Sequence, residues 1–415
     1  MERPSVWLML VAVLVGALFV REPRLRRYDE IFLRWLLKNS VVENARPPLT
    51  IVEIGRPEAG SNPNPEKTSA ADFLRGTAPA NSPLEAALFL QAALEFKPSV
   101  IAFEPLLEWP ETAQDEEQVF IDQAMHAPKL LLAAELTATP DPDAPVADIP
   151  GFTQVRGRRG DLAEFSGIAR QPSEDVRVLS GLGFVNLPND VTDDIHVPLL
   201  FQYRGEVIPS FAFQAVLFWL RVTPAEVKID IGKQIELPQG RKIPIESDGT
   251  VVINPNAAKP ARRLNLNELL LAAQQREQGN RARTLDEMRD EIVLARSAAD
   301  SPERPNPFVA TIATIQTNSF LRRVSWIFDC AVLLVVAALS GTVRKFSRID
   351  LLLGAIAFSA GYCLVALGIL TRWSIWLPGV VPLGAVWLAV VACFILPKPR
   401  LSTRTVAVAA SPPTP

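Results

Sequence analysis

The sequence is short of the residues that most enzymes and secreted scaffolds rely on. It has 2 histidines and 3 cysteines in 415 residues. A His-rich metal centre is therefore excluded, and a catalytic triad would need His126 or His196. All three cysteines, Cys330, Cys363 and Cys393, fall inside long apolar runs near the carboxyl end. The large region before them therefore has neither a disulfide nor a reactive thiol, a pattern that leaves the redox compartment open. Excess charge of one sign is also absent. A formal net charge of -3 gives no global basic bias of the kind that nucleic-acid binders show, and nucleic acid is excluded as a partner. Missing too are a Walker loop, a dinucleotide glycine fingerprint, a serine elbow and His-Glu-x-x-His. No segment repeats at the spacing of a solenoid or propeller. Proline is abundant instead: 36 residues, well above the usual ~5%, argue against a long coiled coil or an all-helical bundle.

Mean hydropathy is positive although 21% of residues are charged, so the apolar residues must be unevenly placed. Four runs carry the excess: Ser5 to Val20, Trp326 to Gly341, Leu351 to Leu370 and Ile375 to Leu396. About 20 apolar residues cross a ~30 Å hydrocarbon core. The last two runs meet that length, and the first two approach it with their flanks. The first run could be a cleaved signal peptide, but Gly16 to Arg21 offers no convincing small-residue cleavage site. An uncleaved anchor is expected.

Basic residues in short loops set orientation. Arg344, Lys345 and Arg348 follow the second run, and Lys398, Arg400 and Arg404 follow the fourth. Only Arg372 lies between the third and fourth. These three loops agree in placing the large region outside the cytoplasm. Arg21, Arg24, Arg26 and Arg27, after the first run, argue the other way. The expected organisation is a membrane anchor at 1–20, an extracytoplasmic domain at 21–325, three membrane helices at 326–396 and a disordered cytoplasmic tail at 397–415.

The large region alternates strand and helix. Continuous apolar strands are expected at Leu49–Ile54, Ser99–Phe103 and Lys129–Ala133. A helix opens at Ser82, with Pro83 first and Glu85 completing a capping box. Another helix spans Asp115–Ala127. Such strands joined by helices predict an α/β fold: a layered, mostly parallel sheet with helices on both faces. Thr137 to Pro172, rich in proline, aspartate and glycine, reads as a long surface insertion. Strands follow at Gly183–Asn186 and Val197–Tyr203, then a helix from Ser210 to Val222. Residues 227–254 suggest hairpins around Gln239-Gly240 and Asp248-Gly249. A helix at Leu264–Gln278, a strand at Asp290–Ala295 and a helix at Asn306–Arg322 complete the region.

The chemistry is positional. Glu53, Glu104 and Glu135 each fall at or just past the carboxyl end of an expected parallel strand, and Asn186 ends a fourth. Open α/β sheets bind ligands outside those ends. Converging carboxylates could hold a cation, or hydrogen-bond a sugar or amine. The plain alternative is that polar residues at strand ends leave the core and meet water. His126 reads as a solvated helix-end residue. His196 follows Asp190, Asp193 and Asp194, a cation site or a polar turn. Asp329, one turn inside the second apolar run, is either a proton or signalling element or a hydrated interfacial carboxylate. Ala337-x-x-x-Gly341 and Ala357-x-x-x-Gly361 permit close helix packing.

The chain also resembles a known family. Tyr28-Asp29-x-x-Phe32-x-Arg34, Ile101-Ala-Phe-Glu104, Gly183-Phe-Val-Asn-Leu-Pro188 with Asp190, Ile208-Pro-Ser-Phe-Ala212, Val251-Val-Ile-Asn254, Asp290-Glu-Ile-Val-Leu294 and Ser319-Phe-Leu-Arg-Arg323 occur in order. Together with the membrane layout, they are similar to the second class of CHASE domains, extracellular sensory domains associated with cyclases and histidine kinases. The sequence departs from the family pattern at Ile54-Gly55, at Asp193 to His196, and around the last strand, where Asp290-Glu291 and Arg296 replace glycines. Family members commonly carry an effector domain after the last span, and no catalytic domain fits in residues 397–415. The resemblance implies a bacterial inner-membrane sensor, not an enzyme, with no cofactor and no metal. Its partners would be a small ligand or envelope component, membrane lipid, and a cytoplasmic kinase or cyclase in trans. A homodimer is open to it. The alternative is a non-catalytic envelope scaffold or assembly protein with a degenerate sensor domain. A periplasmic hydrolase using the glutamate cluster with a metal is the remaining reading.

Overall fold

A computed structural model describes residues 23–40, 45–55, 82–110, 113–140, 149–188, 195–278, 288–297, 306–343 and 347–395. The first apolar run, Asp190, Asp193, Asp194, the basic loop at Arg344 and Lys345, and the carboxyl-terminal tail lie outside the described residues. The chain forms two compact units, Val42–Arg322 on one side and Met1–Val41 with Arg323–Pro415 on the other. Helix α1 (Pro23–Asn39) belongs to the second of these.

Unit 42–322 is built on a parallel sheet. In chain order its first elements are β1 (Leu49–Ile54), α2 (Pro83–Leu94), β2 (Val100–Phe103), α3 (Gln114–Ala124) and β3 (Leu130–Thr137). The apolar runs of β1, β2 and β3 are buried on both sides, as a doubly covered sheet requires. The Ser82 hydroxyl accepts the Glu85 N–H at 3.1 Å, so α2 starts where its cap and Pro83 put it. Glu85 does not close the expected capping box. Its carboxylate accepts the Gly55 N–H at 2.8 Å, anchoring the turn after β1 where Gly55 has φ +88°.

The expected surface insertion contains three short strands: β4 (Gln154–Arg156), β5 (Glu164–Phe165) and β6 (Gly167–Arg170). They escape notice in the sequence because proline and glycine punctuate them and few of their side chains are buried. After α4 (Glu174–Val178) come β7 (Gly181–Phe184), β8 (His196–Pro198), β9 (Leu200–Tyr203), β10 (Glu206–Pro209) and α5 (Phe211–Leu220). The anticipated hairpins appear as β11 (Lys228–Asp230), β12 (Gln234–Glu236) and β13 (Lys242–Pro244), antiparallel in turn, with β4 parallel to β11. β14 (Thr250–Val252) pairs with β8 instead. β15 (Arg262–Asn265) precedes α6 (Leu266–Glu277) and occupies the start of the segment read as helix from Leu264. β16 (Ile292–Ser297) and α7 (Pro307–Thr317) follow. α7 stops at Asn318, in the left-handed region at φ 55°, short of the expected Arg322.

The main sheet runs β15-β1-β16-β2-β3-β7, all parallel, and β6 adds to the far part of β3 antiparallel. The last strand thus enters between the first and second. One face, carrying Leu49, Ile51, Val100, Ala102, Leu131, Ala133, Ile292 and Leu294, packs against α5, α7 and the small sheets. The other, carrying Val52, Ile54, Ile101, Phe103, Leu130, Leu132 and Val293, packs against α2, α3, α4 and α6. The mixed α/β class expected from the sequence holds.

In the other unit, α8 (Trp326–Val343), α9 (Arg348–Trp373) and α10 (Val380–Ile395) cover the three carboxyl-terminal apolar runs. α10 packs against both α8 and α9. Among the described residues one segment, Ile349–Trp373, is long and apolar enough to cross a membrane. The fourth apolar run is divided: Ile375 and Trp376 are extended, Trp376 O accepts the Val324 N–H at 3.1 Å, and helix resumes only at Val380. Ala357 and Gly361 are exposed on α9, whereas Ala355, Ala366 and Leu370 are its buried positions.

Candidate functional site

The register of the sheet aligns three charged residues at its carboxyl edge. Glu53 of β1 stands opposite Arg296 of β16. Ala295 is opposite Phe103, and the Glu104 N–H donates to Ala295 O at 3.1 Å, so Glu104 is level with Arg296 on the other side. Side chains two apart along a strand share a face. Glu53 continues the row Leu49, Ile51; Arg296 continues Ile292, Leu294; Glu104 continues Val100, Ala102. All three extend one apolar face of the core. Neighbouring strands are ~4.8 Å apart, so Glu53 and Glu104 stand about 10 Å apart with Arg296 between them.

Glu104 and Arg296 are buried and Glu53 is half-buried. Asn306 Nδ2 donates to Glu104 Oε1 at 2.5 Å. Asn306 Oδ1 meanwhile accepts the N–H groups of Phe308 and Val309 at 2.9 and 3.0 Å, capping α7. The Glu104 carboxylate is thereby held near a helix amino end, where the macrodipole favours negative charge. Arg296 is the member of this row that strand-end reasoning passed over. The signal was its place at the end of the last strand, where the resembling family has glycine.

Glu135 belongs to a different group. Arg170 of β6 donates to it through Nε and Nη2 at 2.6 and 2.5 Å. Glu108 lies close enough to feel both charges. Burial pushes its carboxyl upward, the Arg170 guanidinium pulls it down, Glu135 pushes it up again, and a hydrogen bond from the Gln171 N–H lowers it. Asn186 bonds backbone: its Oδ1 accepts the Leu136 N–H at 2.8 Å and its Nδ2 donates to Leu136 O at 2.9 Å. The four expected site residues therefore form three arrangements: the Glu53–Arg296–Glu104 row, the Glu135–Arg170 pair, and a backbone clasp at Asn186.

His126 is exposed, with Nδ1 2.9 Å from Asp122 O. His196 is buried and its Nε2 is 3.9 Å from Glu246 Oε1. No group of three or more His, Cys, Asp or Glu side chains suited to a metal ion occurs among the described residues. A hollow of about 240 Å³ opens at the opposite, amino-terminal edge of the sheet, between Lys129, Leu130, Gly181 and Phe218. Lys129 is held down by desolvation and by the Arg221 charge, and its Nζ donates to Phe218 O at 3.1 Å. The aligned charges lie at the other end of the strands, so the hollow and the row are separate features.

A parallel α/β domain with polar residues gathered along one edge is a ligand-domain architecture of many chemistries. The family model of the CHASE2 domain matches residues 6–318, and the chain belongs to that family. CHASE2 domains are extracellular sensory domains of signal transduction, and sensing rather than catalysis is the family's role. Neither curated proteins nor solved structures gave a match.

Proposed function

We propose that this protein is a membrane-anchored extracytoplasmic sensor of the bacterial inner membrane. Unit 42–322 would take a small ligand or an envelope component at the carboxyl edge of its sheet and act on a separate cytoplasmic partner, a kinase or cyclase in trans. The supporting observation is the Glu53–Arg296–Glu104 row, drawn from the first, last and second strands, with Asn306 joining it to α7. An arginine between two carboxylates offers both charge signs to a polar ligand. A ligand that re-pairs Arg296 with its own anionic group, or a carboxylate with its amine, would pull on α7, the last helix before Arg323. Such a ligand shifts an equilibrium only through differential affinity for two arrangements.

The test is thermal unfolding of the full-length protein in detergent with calcium, putrescine and glucose added singly, for wild type and Glu104→Gln. The proposal expects at least one to raise the wild-type midpoint and to lose that effect in the variant. Shifts that are absent, or identical in the two proteins, would remove the edge as a binding site.

A second reading, a non-catalytic envelope scaffold, is favoured by one feature: Glu104 and Glu135 already have close internal partners in Asn306 and Arg170. Pull-down of the intact protein from membranes separates the two. A kinase or cyclase in the captured set supports sensing, and cell-wall or secretion components support the scaffold.

A further inference from the structure

The unit formed by α1 and the carboxyl-terminal helices contains a buried charge cluster that the sensory reading does not use. Asp29 of α1 is 1% exposed. Its Oδ1 accepts the N–H groups of Gly379 and Val380, at 3.0 and 2.9 Å, where α10 begins. Its Oδ2 accepts from Arg323 Nη2 at 2.7 Å. That guanidinium also stands 5.6 Å from the centre of the Trp376 ring. Phe32, one turn along α1 from Asp29, leaves no room at Gly379: a Cβ there would fall 2.5 Å from the Phe32 ring. α1 and the start of α10 are thus locked around Asp29. Burial pushes the Asp29 carboxyl upward, against the pull of the Val380 N–H, Arg323 and the Gly379 N–H.

Asp329, in the first turn of α8, is 0% exposed. Arg323 Nη2 is 3.6 Å from its Oδ2, beyond hydrogen-bonding range, and among the described residues neither Asp329 oxygen has a hydrogen-bond partner. Among the described residues the groups that face it are few. α1 brings Asp29, the segment before α8 brings Arg323, and α9 brings Tyr362, whose hydroxyl donates to Pro378 O, with Cys363 beside it. The sequence of α10 has no acidic or basic residue. Two buried carboxylates therefore share one guanidinium, and the nearer one holds it. An ionised carboxylate without donors in a dry site is costly enough to neutralise or find a counter-charge.

We propose that the Asp29–Arg323–Asp329 cluster takes up one further unit of positive charge on Asp329, either a proton or a monovalent cation. A multivalent metal would need more ligands than the two carboxylates present. With that charge in place the cluster is neutral and Arg323 stays on Asp29. Without it, Asp329 competes for Arg323 and loosens the tie between α1 and the extended segment at Trp376. Arg323 opens the carboxyl-terminal segment of this unit, so the bound charge would set how firmly α1 is tied to that segment.

The sign of the pH effect follows from linkage. A carboxyl that prefers its protonated form when folded gives a protein that binds more protons folded than unfolded, so stability falls as pH rises. The test uses the full-length protein in lipid nanodiscs, with thermal midpoints for wild type and Asp329→Asn between about pH 5 and about pH 8. Sodium, potassium and choline chloride are compared at equal ionic strength. If a proton is bound, the wild-type midpoint drops by several degrees with rising pH, the variant stays flatter, and the salts are equivalent. A protonated-carboxyl infrared band should also be present in wild type and missing in the variant. If a cation is bound, sodium or potassium stabilises wild type over choline and this advantage vanishes in the variant. Identical responses of the two proteins in every arm would overturn the proposal. Should Asp329→Asn fail to fold, Arg323→Gln decides: it leaves both carboxylates without a cation and must strengthen the proton or cation signal, and an unchanged signal overturns the proposal.

Discussion

Asn186 satisfies both backbone groups of Leu136, accepting its N–H at 2.8 Å and donating to its carbonyl at 2.9 Å. The clasp falls where β3 changes partner. β7 pairs with it as far as Ala134, β6 takes over from Glu135, and the register slips between Glu135 and Leu136. An irregular ladder leaves backbone groups to be matched, and a side-chain amide supplies one donor and one acceptor.

Asn186→Ala is therefore expected to destabilise the protein by about 2–3 kcal/mol, because a buried N–H and C=O lose their partners. Asn186→Asp should cost a similar amount for another reason: the carboxylate keeps the N–H but faces the Leu136 carbonyl. Chemical denaturation of the full-length protein checks both. A change within about 0.5 kcal/mol, ordinary for a surface site, would show that the clasp is incidental.

Why Asn186 could be found but not understood from the sequence is physically instructive. The strand-end pattern located it, since apolar runs such as Leu130–Ala134 announce their own ends. What it does there depends on β6, whose Gly167 to Arg170 stretch is too short to declare itself. The same limit applied to Arg296. β16 was legible as a buried strand, but its insertion between β1 and β2 is a property of the whole sheet, and only that insertion sets Arg296 between Glu53 and Glu104. Glu85 was legible as a capping residue, yet its carboxylate goes to Gly55, thirty positions away. Local signals located the long apolar strands and the capped helices; the short strands, and partners chosen across the sheet, were invisible to them.

Gly183 is a close-packing position whose need for glycine is steric. A Cβ at this site would meet the Phe211 Cα at 2.8 Å and Leu131 Cδ1 at 3.3 Å. The first of these is backbone at the start of α5 and cannot swing away. Gly183→Ala should cost about 1–3 kcal/mol through forced separation of β7 and α5. A thermal midpoint equal to wild type would show that α5 is free to shift.

Arg170, which pairs with Glu135 and also faces Glu108, predicts a pH-dependent loss through Glu108. Both side chains are about a quarter exposed, so the expected cost of Arg170→Gln at neutral pH is about 1–2 kcal/mol, between the exposed and buried limits. Removing the guanidinium raises the folded-state pKa of Glu108, which Arg170 holds down. The folded variant then binds more protons than folded wild type, so its deficit shrinks as pH falls. Melting curves of both proteins at neutral and acidic pH test this. A deficit independent of pH would assign the effect to lost packing of the arginine stem.

Asn306 offers the sharpest test of the Glu104 site, because cap and hydrogen bond reside in one side chain. Asn306→Ala removes both, and the cap alone is worth about 1 kcal/mol. Asn306→Asp keeps an acceptor for the Phe308 and Val309 N–H groups but sets a second carboxylate where Nδ2 now stands 2.5 Å from Glu104 Oε1. Two carboxylates that close cannot both be ionised, so one folded-state pKa rises well above its unfolded value. The variant should then approach wild-type stability in acid, where the pair shares a proton, and lose it progressively as pH rises through the raised value. Asn306→Ala should show no such added slope. If the aspartate variant instead follows the alanine variant at every pH, Glu104 is not in contact with position 306 in solution, and the carboxyl edge of the sheet is more open than the bonds to Asn306 imply.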